Sequence, residues 1–227
     1  EVLISSGSIE RPIVFGNNDT PGVMLSSAAK EYLKVYGVLV GKNPLIFTNN
    51  DSGYETAIEF KKNGVEPIIL DTRKDPQSEI VDEAKNLKIQ IKFSHVVVAA
   101  QGYKKVKSAD IAKISENKEE LGTVENIKCD CICVSGFWTP TIHLASQSGN
   151  KTKFSADIDA FVPGKSKQNE KTLGAANGVY TLDETLKSSF EAGHDLSKQI
   201  TKNDNKVSFP NVVEKKSTVH DKFWCVP

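Results

Sequence analysis

Leu45-Ile-Phe-Thr-Asn-Asn-Asp-Ser-Gly-Tyr-Glu-Thr-Ala57, LIFTNNDSGYETA, decides the fold. An apolar run passes into a short polar loop, and a helix-forming stretch follows. PLIF has the length and composition of a parallel strand. SGYETAIEFKKNG reads as a helix, with Ser52 and Glu55 in a capping-box relation, and Gly64 stops it. VEPIILD, closing on Asp71, is the next strand. These residues make one βαβ unit of about thirty residues. Strands and helices keep alternating outward from it, which predicts an α/β fold around a parallel sheet. In such folds ligands sit at the carboxyl ends of the strands.

The loop itself, Thr48 to Gly53, poses a question. A dinucleotide loop of the form G-x-G-x-x-G uses its first glycine for the turn, its second for approach to pyrophosphate, and its third for helix packing. Only the third has a counterpart here, Gly53. Asn49 and Asn50 can adopt the turn, but the middle position carries a side chain. Asp51 puts a carboxylate where a phosphate would sit. Downstream, Asp71 stands about twenty residues on, where a ribose partner belongs, and Arg73 follows it. The favoured reading is a structural βαβ unit whose loop is filled by side chains. A working site on Asn49, Asn50 and Asp71 is the alternative.

On the amino-terminal side, EVLISSG reads as a strand ending in small residues, and SIERPIVFGNNDTPGV as a loop. MLSSAAKEYLKVYG has helical spacing, with Met24, Ala28, Tyr32 and Tyr36 on one side and Gly37 as its stop. On the carboxyl side, PQSEIVDEAKNL is a helix. KIQIKFSHVVVAAQG alternates and then turns fully apolar, as a hairpin or a sheet-crossing strand does. Residues 104–124 read as a solvated edge hairpin and loop, CDCICVSG as a buried strand, and FWTPTIHLASQSG as a helical connection. TLGAANG is a last short strand and loop. TLDETLKSSFEAGHDLSKQI is an amphipathic helix, with Thr181 and Glu184 as its capping box. The tail from Thr201 is polar and aperiodic, as a linker would be.

Lys+Arg and Asp+Glu balance at 29 each, so no basic excess argues for nucleic acid or an anionic membrane. No apolar run reaches the length of a membrane span, and nothing marks the chain for secretion. A reducing cytoplasm is the expectation. The opening residues read as the middle of a strand and the end as unclosed, so an excised piece of a larger protein is expected. Cys129, Cys131 and Cys133 alternate along a strand, which predicts one shared face. Metal sites usually leave two or more residues between ligands, so free, buried thiols are favoured over a metal centre. A disulfide reductase needs C-x-x-C, which CDCIC does not supply. The histidines (His95, His143, His194, His220) show neither metal spacing nor a nucleophile arrangement. Trp138 and Trp224 read as core or interface residues.

Two further places favour close approach of a ligand. In LGAANGVYTLDETL, Leu173 to Leu186, small residues precede a capped helix start, which offers free N–H groups and partial positive charge. The strand ends SSG (Ser5 to Gly7) and VSG (Val134 to Gly136) permit either approach to a cofactor or a crossing between two domains.

The ordered set "ERPIVFGNNDTPGVM", "TNNDSGYETA", "VSGFWTPTIHLASQSG" and "GAANG" resembles the two-dinucleotide-binding-domain flavoproteins. It resembles most closely the alpha subunit of heterotetrameric sarcosine oxidase. The resemblance covers nearly the whole chain. It implies a Rossmann-like FAD/NAD(P)-binding fold with one nucleotide domain inserted into a partial outer one. The expected division is 1–22 outer domain, 23–136 inserted domain, 137–202 return to the outer domain, and 203–227 linker.

It implies, too, the family's activity: oxidative demethylation of sarcosine to glycine with hydrogen peroxide and, with tetrahydrofolate, methylenetetrahydrofolate. FAD and FMN belong to the full complex, with beta, gamma and delta subunits as partners. The alpha subunit carries NAD in its outer domain. Matched onto this sequence, the NAD residues are Gly7, Ala175, Ala176, Asn177, Thr181 and Leu182, and TNNDSG becomes the relic of a second site. Related reductases carry Gly-Asp where this chain has Ala176-Asn177, which argues against FAD there. A related proline, opine or amine dehydrogenase subunit, or a scaffold whose nucleotide sites are both dead, are the alternatives.

Overall fold

The structure, a computed structural model, describes residues 1–201, 212 and 220–227. The chain divides into two compact units, one of residues 10–137 with 216–227 and one of residues 1–9 with 138–215. In chain order the elements are β1 (Val2–Ile4), β2 (Ser8–Glu10), β3 (Val23–Leu25), α1 (Ser26–Tyr36), β4 (Pro44–Thr48), α2 (Ser52–Lys62), β5 (Ile68–Asp71), α3 (Glu79–Asn86), β6 (Gln90–Phe93), β7 (His95–Gln101), β8 (Ser108–Lys113), β9 (Glu125–Lys128) and β10 (Cys131–Ser135). There follow β11 (Trp138–Pro140), α4 (His143–Gln147), β12 (Lys153–Ser155), β13 (Ala160–Val162), β14 (Glu170–Thr172), a 3-10 turn (Gly174–Asn177) and α5 (Leu182–Thr201).

The larger unit is built on a parallel five-stranded sheet in the order β3-β10-β4-β5-β6. Every residue of β4 and β10 is buried, as the unbroken apolar runs require of strands covered on both faces. Alternation sorts their side chains into two cores. Leu45, Phe47, Leu70, Ile132 and Val134 pack with Val96, Val97, Ala109 and Ile111 of a three-stranded antiparallel sheet, β7-β8-β9. Ile46, Ile69, Cys131 and Cys133 pack with Ala29, Leu33, Tyr54, Ala57, Phe60 and Val81 of the three helices. Each large side chain so buried contributes on the order of 1.5–3 kcal/mol. The chain passes from one sheet to the other at Ser94, which takes φ 53° between β6 and β7. KIQIKFSHVVVAAQG is therefore a sheet crossing.

Several expectations are corrected in the larger unit. The side of α1 carrying Ala28, Tyr32 and Tyr36 is not its core face: Ser26, Ala29 and Leu33 are buried, and Tyr32 and Tyr36 are exposed. Residues 104–124 are not all solvated, because Val106, Ala109, Ile111 and Ala112 are buried and β8 is the central strand of its sheet. Only Cys131 and Cys133 share a face. Cys129 precedes β10, and the change of sheet breaks the alternation, so it packs in the opposite core. Of the expected linker, residues 203–211 and 213–219 lie outside the described residues. His220 to Pro227 belongs to the larger unit: Phe223 and Val226 enter its core, and Val14 exchanges backbone bonds with Trp224 and Val226 at 2.8 and 2.9 Å.

In the smaller unit, β1 and β14 run parallel, with Ile4 opposite Thr172, and β12 and β13 form an antiparallel pair. FWTPTIHLASQSG, expected as helical, makes the short strand β11 and the five-residue α4. The residues that follow β14 turn through the 3-10 segment into α5. Thr181 Oγ1 donates to Glu184 Oε2 at 2.8 Å at its start, the pair expected of its capping box.

Candidate functional site

At the carboxyl edge of the parallel sheet, the loop after β4 is filled by its own side chains. Thr48 Oγ1 donates to the Asn50 carbonyl at 2.8 Å, closing the turn. Asn50 is buried: its amide donates to the Ser135 carbonyl at 3.0 Å, and its Oδ1 accepts the Ser52 N–H at 2.8 Å. A phosphate at a helix start would take such an N–H. Here a side chain holds it. Gly53 does keep its packing role, since a Cβ there would stand 2.6 Å from Thr48 Cβ.

Asp71 ends β5 fully buried and committed. Arg73 Nε and Nη2 donate to its two oxygens at 3.0 and 2.8 Å, and Tyr54 Oη donates to Oδ2 at 2.7 Å. The third arm of Arg73, Nη1, reaches Asp51 at 2.8 Å across the loop. Burial pushes the Asp71 carboxyl up while the guanidinium pulls against it, and burial beside that carboxylate pushes the Tyr54 hydroxyl up as well. The guanidinium between its two acids is held even more firmly charged. The oxygens that would hold a ribose thus hold Arg73 and Tyr54.

The carboxyl-terminal stretch covers what remains. Asn49 donates to the Asp221 and Phe223 carbonyls at 2.8 and 3.1 Å, and the Asp221 N–H returns a bond to the Asn49 carbonyl at 2.8 Å. The Asp221 carboxylate accepts from Thr72 Oγ1 at 3.0 Å and pairs with Lys118. These residues, with Arg73, Lys74 and His220, line an open cavity of ≈ 440 Å³. Asp221, Thr72 and Lys118 were not singled out by the sequence reading. Asp221 lies 149 residues from Thr72 and 103 from Lys118, and no local pattern announces the contact. Gly136 is explained in the same unit: a Cβ would stand 2.6 Å from the Arg11 carbonyl, so its close approach is to the chain itself.

In the smaller unit the structure sets the ends of β1 and β14 side by side, and the Leu173 N–H donates to the Ile4 carbonyl at 2.9 Å. Gly7 follows at φ 74° with no atom within 4 Å of a Cβ position, and its carbonyl accepts from Thr141 Oγ1 at 2.7 Å. Ala175, Ala176 and Asn177 make the 3-10 turn, which Gly178 closes at φ 78°. Ala176 is buried, whereas Leu182 is exposed. Asn177 and Gly178 line a cavity of ≈ 430 Å³ with Ile158 and Val162. Asp183 and Glu184 sit in the first turn of α5.

No protein-family model matches the chain. It is 31% identical over 195 residues to the sarcosine oxidase alpha subunit of Corynebacterium sp. (strain P-1), covering 85% of this chain and 20% of that one. It is 36% identical over 178 residues to the alpha subunit of Rhizobium meliloti (strain 1021), covering 78% and 17%. This chain is homologous to a region of sarcosine oxidase alpha subunits. It spans about a fifth of the length of these curated relatives. Among solved structures, L-proline dehydrogenase from P. horikoshii matches with a TM-score of 0.59 at 19% identity, over 88% of this chain and 34% of that one. Thioredoxin reductase from Lactococcus lactis matches with a TM-score of 0.66 at 13% identity, over 88% and 66%. The expected α/β dinucleotide-binding fold of the sarcosine oxidase alpha homologue is thereby shown. Its cysteines form no C-x-x-C: Cys129, Cys131 and Cys133 are free and buried, and Cys225 is free and exposed.

Proposed function

We propose that this chain is the nucleotide-binding region of a sarcosine oxidase alpha subunit, contributing NAD binding and a scaffold to a complex with beta, gamma and delta subunits. The homology over about four fifths of the chain carries this reading. In it the larger unit is an inserted domain and the smaller unit is part of the outer one. Oxidative demethylation of sarcosine then takes place at flavins of the complex, FAD and FMN, and tetrahydrofolate accepts the one-carbon unit.

The residues of the smaller unit fit one end of a dinucleotide. Gly7 leaves open space at a strand end, and the turn at Ala175–Asn177 presents backbone beside a cavity. Asp183 and Glu184 at the start of α5 disfavour a phosphate but suit hydroxyl donors of a ribose. Gly7, Ala175, Ala176, Asn177, Thr181 and Leu182 would hold the sugar end of NAD, which would supply a redox-capable ring or a structural tie. The filled loop at Asn49, Asn50 and Asp71 supports the reading of the inserted-domain site as a relic.

The test is to assemble the full-length alpha subunit that contains this sequence with its beta, gamma and delta partners and to measure peroxide. Sarcosine-dependent peroxide, with methylenetetrahydrofolate formed when tetrahydrofolate is added, is expected. Turnover of L-proline or an opine without turnover of sarcosine would replace this reading with the dehydrogenase one.

A further inference from the structure

The stretch from His220 to Pro227 returns to the larger unit and is fastened along its length. At its start, in the crevice beside the carboxyl edge of the parallel sheet, the Asp221 carboxylate accepts from Thr72 Oγ1 at 3.0 Å and pairs with Lys118. Phe223 and Val226 enter the core, and Val14 bonds the backbone of Trp224 and Val226. Two rings of the stretch then grip residues far away in the sequence. The His220 ring stacks on Phe137, with centroids 3.8 Å apart and planes within 7° of parallel. The Arg11 guanidinium lies over the Trp224 ring, 3.3 Å from its centroid, close enough for a cation–π contact.

Arg11 and Phe137 stand beside the first two places where the chain passes between its units, at residues 9–10 and 137–138. They also hold one another: the Arg11 N–H donates to the Phe137 carbonyl at 2.8 Å, and the Gly136 N–H donates to the Arg11 carbonyl at 2.6 Å. Phe137 takes φ 76°, a left-handed conformation that a residue with a large side chain keeps only where its surroundings hold it there. The stack on His220 is such a hold. Short connections of this kind are where a chain absorbs changes in φ and ψ. We propose that residues 220–224 form a clasp that couples the crevice to both crossings. Anchored through Asp221, the clasp keeps His220 on Phe137 and Trp224 under Arg11. Thr72, Lys118 and Asp221 line the open crevice of ≈ 440 Å³, so whatever takes Thr72 and Lys118 from Asp221 there loosens both crossings at a distance.

The experiment is amide hydrogen exchange, read by mass spectrometry, on the full-length protein that contains this sequence. The readouts are the Arg11 and Gly136 N–H groups at the two crossings, with β4 as the internal reference. Asp221→Ala cuts the anchor without touching either crossing. It is expected to speed exchange at both N–H groups at least about tenfold and to leave β4 unchanged. Lys118→Ala cuts the same ion pair from the other side and should act in the same direction. Trp224→Ala opens the far end of the clasp, so Asp221→Ala with Trp224→Ala should exceed the larger single effect by little. Unchanged exchange at either crossing in Asp221→Ala, acceleration that reaches β4 equally, or effects of the two substitutions that simply add would each overturn the proposal.

Discussion

Asp71 shows how one buried residue can serve structure where its position suggests a ligand. Two arms of Arg73 and the Tyr54 hydroxyl converge on it, so removing it leaves the nearly buried guanidinium with Asp51 as its remaining acid and strips the buried Tyr54 hydroxyl of its acceptor. Breaking such a pair is far costlier than forming it is favourable. Asp71→Ala should lower the free energy of urea unfolding by about 3–5 kcal/mol. The cysteines make a second test. Burial pushes the Cys129 thiol up to about 12, and the Cys133 thiol is raised by its hydrogen bond with the Cys131 thiol and by burial. Only Cys225 should react with iodoacetamide in the native protein, with the other three reacting after denaturation. A thiol raised in the folded state stabilises it below the unfolded thiol range, near about 8.5. That stabilisation is lost as pH rises through about 12. Alkaline stability should therefore fall across this window, and Cys129→Ala should flatten part of the fall. The burial of these thiols was legible from CDCIC in an apolar run. That Cys129 faces the other core was not, because alternation says nothing about where a strand leaves one sheet for another.

At the scale of elements, α2 sits on β4 through the absent side chain of Gly53. Gly53→Ala would press a Cβ to within 2.6 Å of Thr48. It should destabilise by about 1–3 kcal/mol in thermal unfolding, the range for overpacking. The βαβ unit, its strand ends and both helix stops could be read locally, since PLIF, the glycine at position 64 and the closing Asp71 act over a few residues. The α1 face was misread for a physical reason. Tyr32 and Tyr36 are apolar at helical spacing, but the smaller Ala29 and the flanking Leu33 fit the narrow gap against the sheet. Spacing identifies a stripe without saying which neighbour covers it. Likewise, β8 reads as polar because Ser108, Asp110 and Lys113 stand among its apolar residues, while Ala109, Ile111 and Ala112 supply the buried contacts.

At the scale of the molecule, the homologous region retains the dinucleotide-binding architecture and spends its loop on itself. The missing glycines in TNNDSG pointed to a loop filled by side chains. What covers the loop could not be read there, because Asp221 and Phe223, which bond Asn49 and Thr72, come from the other end of the sequence. The proposed function puts the cofactor in the smaller unit and not at this loop. The direct test is calorimetric titration of NAD into the full-length alpha subunit and two surface variants. Asn177→Trp fills the cavity beside the 3-10 turn, and Lys74→Glu reverses a charge at the mouth of the crevice in the larger unit. Asn177→Trp is expected to abolish binding and Lys74→Glu to leave it unchanged. Loss of binding in Lys74→Glu, with Asn177→Trp binding as the wild type does, would contradict this placement.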